Sequence, residues 1–320
     1  MANHEIVIST TCPSDSIQPA IVLYEHYTMR ILITGGSGFI GRSLQQSLRA
    51  RGNTVVTLGR DSRSDFQWDF SNAPINSKAL ANIDAVIHLA GENVGSGRWA
   101  AAKKHRILES RVLGTRLLAE ALAQSAAPPK VLLSASAIGF YGSEEKTILD
   151  EDSSAGSGFL ANVCEQWEAA TQPATDAGIR VGHLRLGVVL SSEGGILRQM
   201  RVPLLLYLGG RIGSGAQWMS WVALPDVIRS IEFVLNNEAL AGPLNIVANT
   251  VTNAEFTLAL ANTLSRAAVL PMPAFLARLI FGEMADAMLL TSTRVNSKRL
   301  AMQGFEFEFT VLEKALDKIH

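Results

Sequence analysis

One stretch decides the fold of this chain: residues 34–41, Thr34-Gly35-Gly36-Ser37-Gly38-Phe39-Ile40-Gly41. It follows the apolar run of residues 29–33 and leads into residues 42–50, so a strand, a glycine turn and a helix are predicted in that order. Glycines in such a turn let backbone N–H groups approach a diphosphate at the N-terminus of the helix. The predicted dinucleotide-binding residues here are Thr34, Gly35, Ser37, Gly38, Phe39, Ile40 and Gly41.

The end of the next strand indicates which dinucleotide is bound. Residues 54–58 are rich in β-branched side chains, and an acidic residue after such a strand holds the ribose 2′-hydroxyl of NAD. Gly59 and Arg60 stand there instead. Because a guanidinium suits a 2′-phosphate and no carboxylate repels it, NADP(H) is predicted in preference to NAD(H). The alternative is that Arg60 is a solvated loop charge, and the adjacent Asp61 weakens the phosphate interpretation.

Composition favours a protein that acts on small molecules. The 320 residues are 48% apolar and 18% charged, enough for a sizeable core. A net charge of −1 gives no electrostatic reason to expect nucleic acid or an anionic membrane as partner. The two cysteines, Cys12 and Cys164, form no CxxC or Cys/His cluster, so neither a disulfide framework nor a metal site is predicted. We expect a cytoplasmic protein.

The N-terminal segment carries no recognisable signal. Residues 1–28 lack the charged start and the continuous apolar run of a secretory leader, and no later apolar run reaches the roughly 18 residues needed to span a bilayer. No membrane insertion is expected. Residues 1–28 are predicted to be an extension ahead of the first strand, without an assigned function.

Alternating strands and helices extend the first unit into a sheet. Residues 84–91 and 130–136 are predicted to be buried strands, with a helix over residues 98–124 between them. A helix over residues 159–177 and a strand over residues 179–186 follow. This alternation predicts an α/β fold with a doubly wound parallel sheet of the Rossmann type. The end of the strand at 84–91 adds three predicted cofactor-binding residues: Leu89, Ala90 and Gly91.

The alternation weakens after residue 190. The glycine-rich residues 209–215 lack a strand-to-helix frame and are predicted to be a ligand-covering loop, whereas a strand near residues 243–247 can return to the sheet. Helices are predicted over residues 256–266 and 273–290. The apolar face of the second helix is expected to pack in the core, and the alternative is a contact between two copies in a homodimer. The predicted domains are residues 29–190, which bind NADP, and residues 191–320, a smaller substrate-side domain.

The chain resembles the extended, epimerase-like branch of the short-chain dehydrogenase/reductase superfamily from about residue 29 to the end. Four further segments are distinctive: residues 88–93, 134–142, 184–191 and 218–221. Through them the chain looks, more narrowly, like the atypical "epimerase family protein" group, which pairs a nucleotide-binding domain with a small C-terminal domain. The resemblance implies an NADP(H)-dependent oxidoreductase or epimerase-like enzyme and names no substrate. In related proteins an acid after the third strand accepts from the adenine amino group, which implies that role for Asp69, and a turn role is the alternative.

The catalytic residues of the superfamily are only partly present. The resemblance implies an Asn, a Ser or Thr, and a Tyr followed four residues later by Lys. Ser136 stands at the serine position, but Arg111 replaces the Asn, and none of the four tyrosines has Lys four residues on. The helix expected to carry the pair, residues 159–168, offers apolar or thiol groups there. Bringing a phenol pKa from about 10 to 7 takes roughly 4 kcal/mol, so an enzyme of this kind needs another proton donor.

The candidate catalytic residues are therefore Ser136, Tyr141 and Glu92, with Cys164 on the altered helix as a further substitute. Each of the last three has a structural alternative: a packed ring with a satisfied hydroxyl for Tyr141, a loop or cap carboxylate for Glu92, and a small buried hydrophobe for Cys164. Two function classes remain open. One is the NADP(H)-dependent enzyme, and the other is a catalytically silent NADP(H)-binding regulatory protein.

Overall fold

A computed structural model of the protein describes residues 28–71 and 74–319. All but the last residue of the predicted N-terminal extension, residues 1–28, lies outside the described part of the chain, and so does Cys12.

A parallel sheet of seven strands forms the centre of the molecule. The first strand of the chain lies inside the sheet, and the strands that follow it are added on one side before the order reverses to the other side. Such a reversal opens a crevice at the carboxyl ends of the strands, where ligands bind. The predicted doubly wound α/β fold is confirmed. From edge to edge the strands are β10 (Gly242–Ile246), β7 (Arg180–Leu186), β5 (Val131–Ala137), β4 (Ala85–His88), β1 (Arg30–Thr34), β2 (Thr54–Gly59) and β3 (Phe66–Gln67).

Helices cover both faces of this sheet and bury its strands on both sides. Ile31 and Ile33 pack with α1 and α6 on one face, and Leu32 packs with α2 and α4 on the other. The helix predicted over residues 159–177 is broken in two, since Pro173 begins a new helix after a turn. These helices are α1 (Phe39–Ala50), α2 (Ala101–Ala123), α3 (Phe159–Ala169), α4 (Gln172–Asp176) and α6 (Leu224–Asn236).

A second, smaller sheet has its own apolar core, which it forms with residues of three helices in the ranges 195–205, 253–263 and 312–319. Its pairings are parallel except that between β11 and β9. One of its strands precedes residue 191 and another ends at that residue, so this sheet draws on both sides of the predicted domain boundary. Its strands are β11 (Asn249–Thr252), β9 (Trp218–Ala223), β12 (Thr293–Val295) and β6 (Glu144–Leu149), with β8 (Val188–Ser191) beside β9. The remaining helices are α5 (Gly195–Leu205), α7 (Asn253–Thr263), α8 (Ala274–Phe281), α9 (Lys298–Met302) and α10 (Leu312–Ile319).

The apolar segment predicted as a helix over residues 273–290 differs from the expectation. Helix α8 ends at Phe281, and a separate short turn of π-helix covers Ala285–Leu289. Phe275, Leu279 and Ile280 are exposed, so the expectation that this face packs in the core is wrong for these three side chains. The alternative contact between two copies stays a prediction. Within the described ranges, no helix is both long and apolar enough to cross a membrane.

Candidate functional site

The glycine loop packs directly against the end of β4. Gly35 has a φ of 70°, and a Cβ there would lie 2.6 Å from the carbonyl carbon of Leu89 and 2.7 Å from the nitrogen of Ala90. A Cβ on Gly41 would overlap the carbonyl oxygen of Gly35. The Gly38 N–H donates to that same oxygen at 3.0 Å. Only glycine fits at positions 35 and 41 of this turn, which ends at the N-terminus of α1 with backbone N–H groups free of intrahelical partners.

Residues after β4 are held by the last residue of β1. The Leu89 N–H donates to the Thr34 carbonyl at 3.1 Å, and the Ala90 N–H donates to the Thr34 hydroxyl at 3.3 Å. Gly91 lies against Arg111, since a Cβ there would lie 3.1 Å from the guanidinium carbon. The predicted cofactor residues at the ends of β1 and β4 therefore form one continuous surface.

A buried chain of hydrogen bonds runs beneath this surface. Thr34 Oγ1 lies 2.6 Å from His88 Nδ1, and His88 Nε2 lies 2.8 Å from Thr115 Oγ1. The indole N–H of Trp167 donates to the same Thr115 oxygen at 2.9 Å. Burial lowers the pKa of His88 to about 4, so its imidazole is neutral at neutral pH. The chain fixes β1, β4, α2 and α3 relative to one another.

Arg60 stands exposed immediately after β2. Because Thr34 pairs with Leu58 in the sheet, the end of β2 is level with the start of the glycine loop. Asp61 does not neutralise this arginine, since its carboxylate accepts from Arg63 Nη2 at 2.9 Å. That side-chain hydrogen bond lowers the pKa of Asp61. Across the described ranges no ion pair engages Arg60, which leaves its guanidinium available to a phosphate.

Asp69 follows β3 and takes part in a turn. Its Oδ1 accepts from the backbone N–H of Ser71 at 3.1 Å and from the Ser71 hydroxyl at 2.7 Å. These bonds match the turn role that the sequence left open. Its predicted contact with adenine stays a prediction.

Arg42 on α1 joins the glycine loop to the turn between β8 and α5. This role of Arg42 was not predicted from the sequence. Its guanidinium donates to the Ser37 carbonyl at 2.7 Å and to the carboxylate of Glu193 at 3.2 Å. Beside it Phe39 packs under Gly194, where a Cβ would lie 3.0 Å from the ring. The turn between β8 and α5 therefore covers the start of α1.

The carboxyl ends of β5 and β7 carry a network of five polar side chains. The hydroxyl of Ser136 donates to Glu168 Oε1 at 2.7 Å. Arg185 grips the same carboxylate through Nε and Nη2, each at 2.8 Å. Its Nη1 donates at 2.9 Å to the hydroxyl of Tyr141, which donates to Asn245 Oδ1 at 2.8 Å. Two of the predicted catalytic residues thus share one network.

This network decides what Tyr141 can do chemically. The residue is only 3% exposed, and burial raises its pKa above the ordinary value. Its proton lies on the bond to Asn245. The arrangement fits the packed ring with a satisfied hydroxyl better than a proton donor. Ser136 is equally buried, but its oxygen still has lone pairs with which to accept a hydrogen bond.

Cys164 lies on α3 next to the same network. Burial, together with the negative charge of Glu168, raises the pKa of its thiol to about 11. Such a thiol is neutral at neutral pH and a poor nucleophile, which agrees with the buried-hydrophobe alternative. A Cβ on Gly139 would lie 3.5 Å from Leu160 and 3.9 Å from the Cys164 sulfur. Helix α3 thus presents Leu160 and Cys164, one turn apart, to the turn that follows β5.

Glu92 is paired with cations of α2. Its Oε1 lies 2.7 Å from Lys103 Nζ and 3.7 Å from Arg106 Nε. The hydrogen bond from Lys103 lowers the pKa of Glu92, so the group is a carboxylate at neutral pH and has no proton to donate. The backbone N–H of Glu92 is also engaged, since it donates to the Ser110 hydroxyl at 3.0 Å.

Arg111 belongs to the site, although the sequence analysis treated it only as a lost Asn. Its Nη1 donates to the carbonyl oxygens of Glu92 at 2.9 Å and Ile107 at 3.3 Å. Its guanidinium lies 4.9 Å from the ring centre of Trp167. Burial lowers the pKa of Arg111, and no carboxylate pairs with it within the described residues. The sequence signal for this role is a charged residue at the start of the segment Arg-Val-Leu-Gly-Thr, on the helix that follows β4.

Comparison with known proteins agrees with this geometry. The model of the NAD dependent epimerase/dehydratase family matches residues 31–247, and a domain of unknown function, DUF1731, matches residues 272–319. Epimerase family protein Mb2239 of Mycobacterium bovis is 39% identical over 290 residues, covering 89% of this chain and 96% of the relative. Human epimerase family protein SDR39U1 is 35% identical over 296 residues, covering 91% and 99%.

Solved structures give the same result. The crystal structure of human epimerase family protein SDR39U1 (isoform2) with NADPH has a TM-score of 0.83 at 34% identity, covering 91% of this chain and 99% of that one. A UDP-glucose 4-epimerase from Thermotoga maritima, at 17% identity and a TM-score of 0.72, shares the fold alone. The chain belongs to the NAD dependent epimerase/dehydratase family, as an atypical extended short-chain dehydrogenase/reductase with a C-terminal DUF1731 domain.

Proposed function

We propose that this protein is an NADP(H)-dependent oxidoreductase or epimerase-like enzyme that acts on a small molecule. The observation that carries the proposal is the glycine cradle at Gly35 and Gly41, which admits no side chain and lies level with the unpaired Arg60. The similarity to a human relative solved with NADPH supports it.

The residues at the crevice fit NADP(H) by their chemistry. The N-terminus of α1 supplies backbone donors for a diphosphate, and Arg60 supplies a planar cation for a 2′-phosphate. When bound, this cofactor supplies or accepts a hydride at its nicotinamide ring. The Arg42–Glu193 ion pair and the packing of Phe39 on Gly194 hold the start of α1 against the turn between β8 and α5.

Among the candidate catalytic residues, Ser136 fits a contact with substrate best. Its strand ends at the crevice, and its oxygen keeps acceptor capacity while its proton goes to Glu168. Glu92 is held as a carboxylate by Lys103, and the Tyr141 proton is committed to Asn245. We therefore propose that Ser136 orients a substrate hydroxyl by accepting its proton in a hydrogen bond, with Tyr141 supporting Arg185 rather than transferring a proton.

A second function class has its own supporting observation. Leu160 and Cys164 occupy the part of α3 that packs on the turn after β5, and neither provides an ionised group there at neutral pH. A protein that binds NADP(H) through the glycine cradle without turning it over is consistent with this arrangement. That protein would be a regulator that responds to the ratio of NADPH to NADP⁺.

The test compares two serines of the same strand. Ser136→Ala should lower NADP⁺ reduction with a responsive alcohol by about a hundredfold while leaving the NADPH Kd unchanged, if Ser136 accepts from the reacting hydroxyl and positions it. Ser134→Ala is the matched control, since Ser134 is equally buried on β5 but donates only to a neighbouring backbone carbonyl at 3.4 Å. Equal activity of the two variants would contradict the role of Ser136. NADPH binding without turnover across broad panels of alcohols with NADP⁺ and of carbonyl compounds with NADPH would favour the regulator.

A further inference from the structure

A cavity of about 130 Å³ lies against the second sheet, between α5, α7 and α8. No charged side chain is found among the described residues that line it. An apolar-lined space of about 150 Å³ holds a molecule the size of benzene, so this cavity is of the right order for a single ring or a short branched alkyl group. Flexible thioethers adapt to varied apolar shapes. Five methionines line the cavity: Met200, Met219, Met272, Met284 and Met288.

One polar group of the lining lacks a partner. Thr257 on α7 is 1% exposed, and within the described part of the chain its hydroxyl oxygen makes no hydrogen bond. The other polar side chains of the lining are engaged: Asn253 accepts from the Ile212 N–H at 2.8 Å, and Gln199 donates to the Gly95 carbonyl at 3.4 Å. A buried hydroxyl left unpaired destabilises the folded protein. A ligand with one oxygen at that point would remove this cost.

The cavity adjoins the part of α3 that faces the network around Ser136. Phe281 and Met284 line the cavity and also pack in the cluster that includes Leu160. On the outer side, Leu208 and Met288 line the cavity and are 59% and 37% exposed. Apolar surface therefore continues from solvent through the cavity to the helix beside the candidate catalytic residues.

We propose that this cavity is the substrate subsite and that it takes a compact apolar group, an aromatic ring or branched alkyl chain, bearing one hydroxyl or carbonyl oxygen that bonds to Thr257. Its assignment as a substrate subsite rests on the proposed function. A nucleoside diphosphate fits this lining poorly, because none of the described lining residues carries a cationic side chain to pair with its charges.

The test uses phenol, toluene and UDP-glucose as probes, titrated into the full chain without cofactor and followed by ligand-observed NMR. Phenol should bind more tightly than toluene. Thr257→Val, which keeps the shape and removes the hydroxyl, should weaken phenol binding about fivefold to tenfold and leave toluene binding unchanged. Leu258→Ala, on the exposed face of the same helix, should change neither. Met200→Trp should abolish binding of both by filling the cavity.

Two results would overturn the proposal: phenol binding that survives both Thr257→Val and Met200→Trp, or UDP-glucose that binds and displaces phenol. If Thr257→Val does not fold, Thr257→Ser keeps the hydroxyl and should keep phenol binding, and Met200→Trp still decides the location. The titration contains no NADP(H). A protein that binds phenol but not NADPH therefore contradicts the proposed function alone, and one that binds NADPH but not phenol contradicts the subsite alone.

Discussion

Gly41 and Gly38 belong to the same glycine turn, but substitutions at the two positions should differ in their effects on folding and on NADPH binding. A Cβ on Gly41 would overlap the Gly35 carbonyl, whereas a Cβ on Gly38 would lie 3.3 Å from that oxygen. We expect Gly41→Ala to lower the melting temperature by several degrees, in line with overpacking costs of about 1–3 kcal/mol, and to abolish NADPH binding. Gly38→Ala should keep the melting temperature within about 2 °C and weaken NADPH binding. Equal melting temperatures for the two variants would contradict this account of the turn.

His88 makes the stability of the protein depend on pH in one window. Its pKa is about 4 in the folded protein because it is buried, and about 6.5 in the unfolded chain. Between these values the unfolded state binds more protons, so the free energy of unfolding falls as pH decreases from about 6.5 to about 4. The full effect is roughly 3 kcal/mol.

The measurement is the free energy of unfolding of wild type and His88→Gln across that pH window. The difference between them should shrink, or change sign, as pH falls, because the variant has no imidazole to protonate. His105→Gln is the control, since the His105 side chain is 70% exposed. A difference that does not vary with pH would show that His88 is not held neutral.

At the scale of elements, the network of Ser136, Glu168, Arg185, Tyr141 and Asn245 joins β5, α3, β7 and β10. Tyr141→Phe removes the hydroxyl that both Arg185 and Asn245 use. We expect a loss of about 1–3 kcal/mol in the free energy of unfolding, because buried partners are left unsatisfied. Turnover should fall less than tenfold.

Tyr207→Phe is the matched control, since Tyr207 is 53% exposed. If Tyr141→Phe instead lowers kcat by several orders of magnitude and leaves the free energy of unfolding unchanged, Tyr141 is the proton donor. The pH profile of kcat separates the two cases, because a proton donor leaves its own pKa in the profile.

The secondary-structure elements also show how much of the fold could be predicted from the sequence. The strand, glycine turn and helix at residues 30–50 could be predicted because their signals are local: β-branched and apolar runs, three spaced glycines, and helical periodicity. The parallel sheet followed from repeated alternation. The network did not follow, because Tyr141 and Asn245 are 104 residues apart and meet only through the order of β5, β7 and β10.

The exposure of the α8 side chains could not be predicted from the sequence for a related reason. Apolar periodicity predicts a buried face, and Phe281 does pack against Ile107 and its neighbours. Phe275 and Leu279 lie on the other side of the same short helix and are exposed, because no residue in the described ranges 28–71 and 74–319 covers them. The unpaired state of Arg60 was likewise undecided until the structure showed Asp61 bound to Arg63.

The whole molecule is tied together by its C-terminal segment. Leu300 and Phe305 lie in the same core cluster as Ile31 and Ile33 of β1, and β12 lies between β9 and β6 in the second sheet. The segment matched by DUF1731 therefore completes the cores of both sheets. We expect calorimetry to show one unfolding transition for the full chain, and a chain ending at residue 271 not to fold. A soluble fragment of residues 28–271 that binds NADPH would contradict this expectation.

The central claim is that the crevice at β1, β2 and β4 binds NADP(H) through the glycine cradle and Arg60. The most direct test is a fluorescence titration of NADPH and NADH into wild type, Arg60→Ala and Arg116→Ala, an exposed arginine of α2 removed as the charge-matched control. The account predicts that wild type binds NADPH more tightly than NADH. Arg60→Ala should weaken NADPH binding about tenfold or more, as expected for a lost charged contact, and leave NADH binding unchanged. Equal weakening of NADPH and NADH by Arg60→Ala, or no binding of either by wild type, would contradict it.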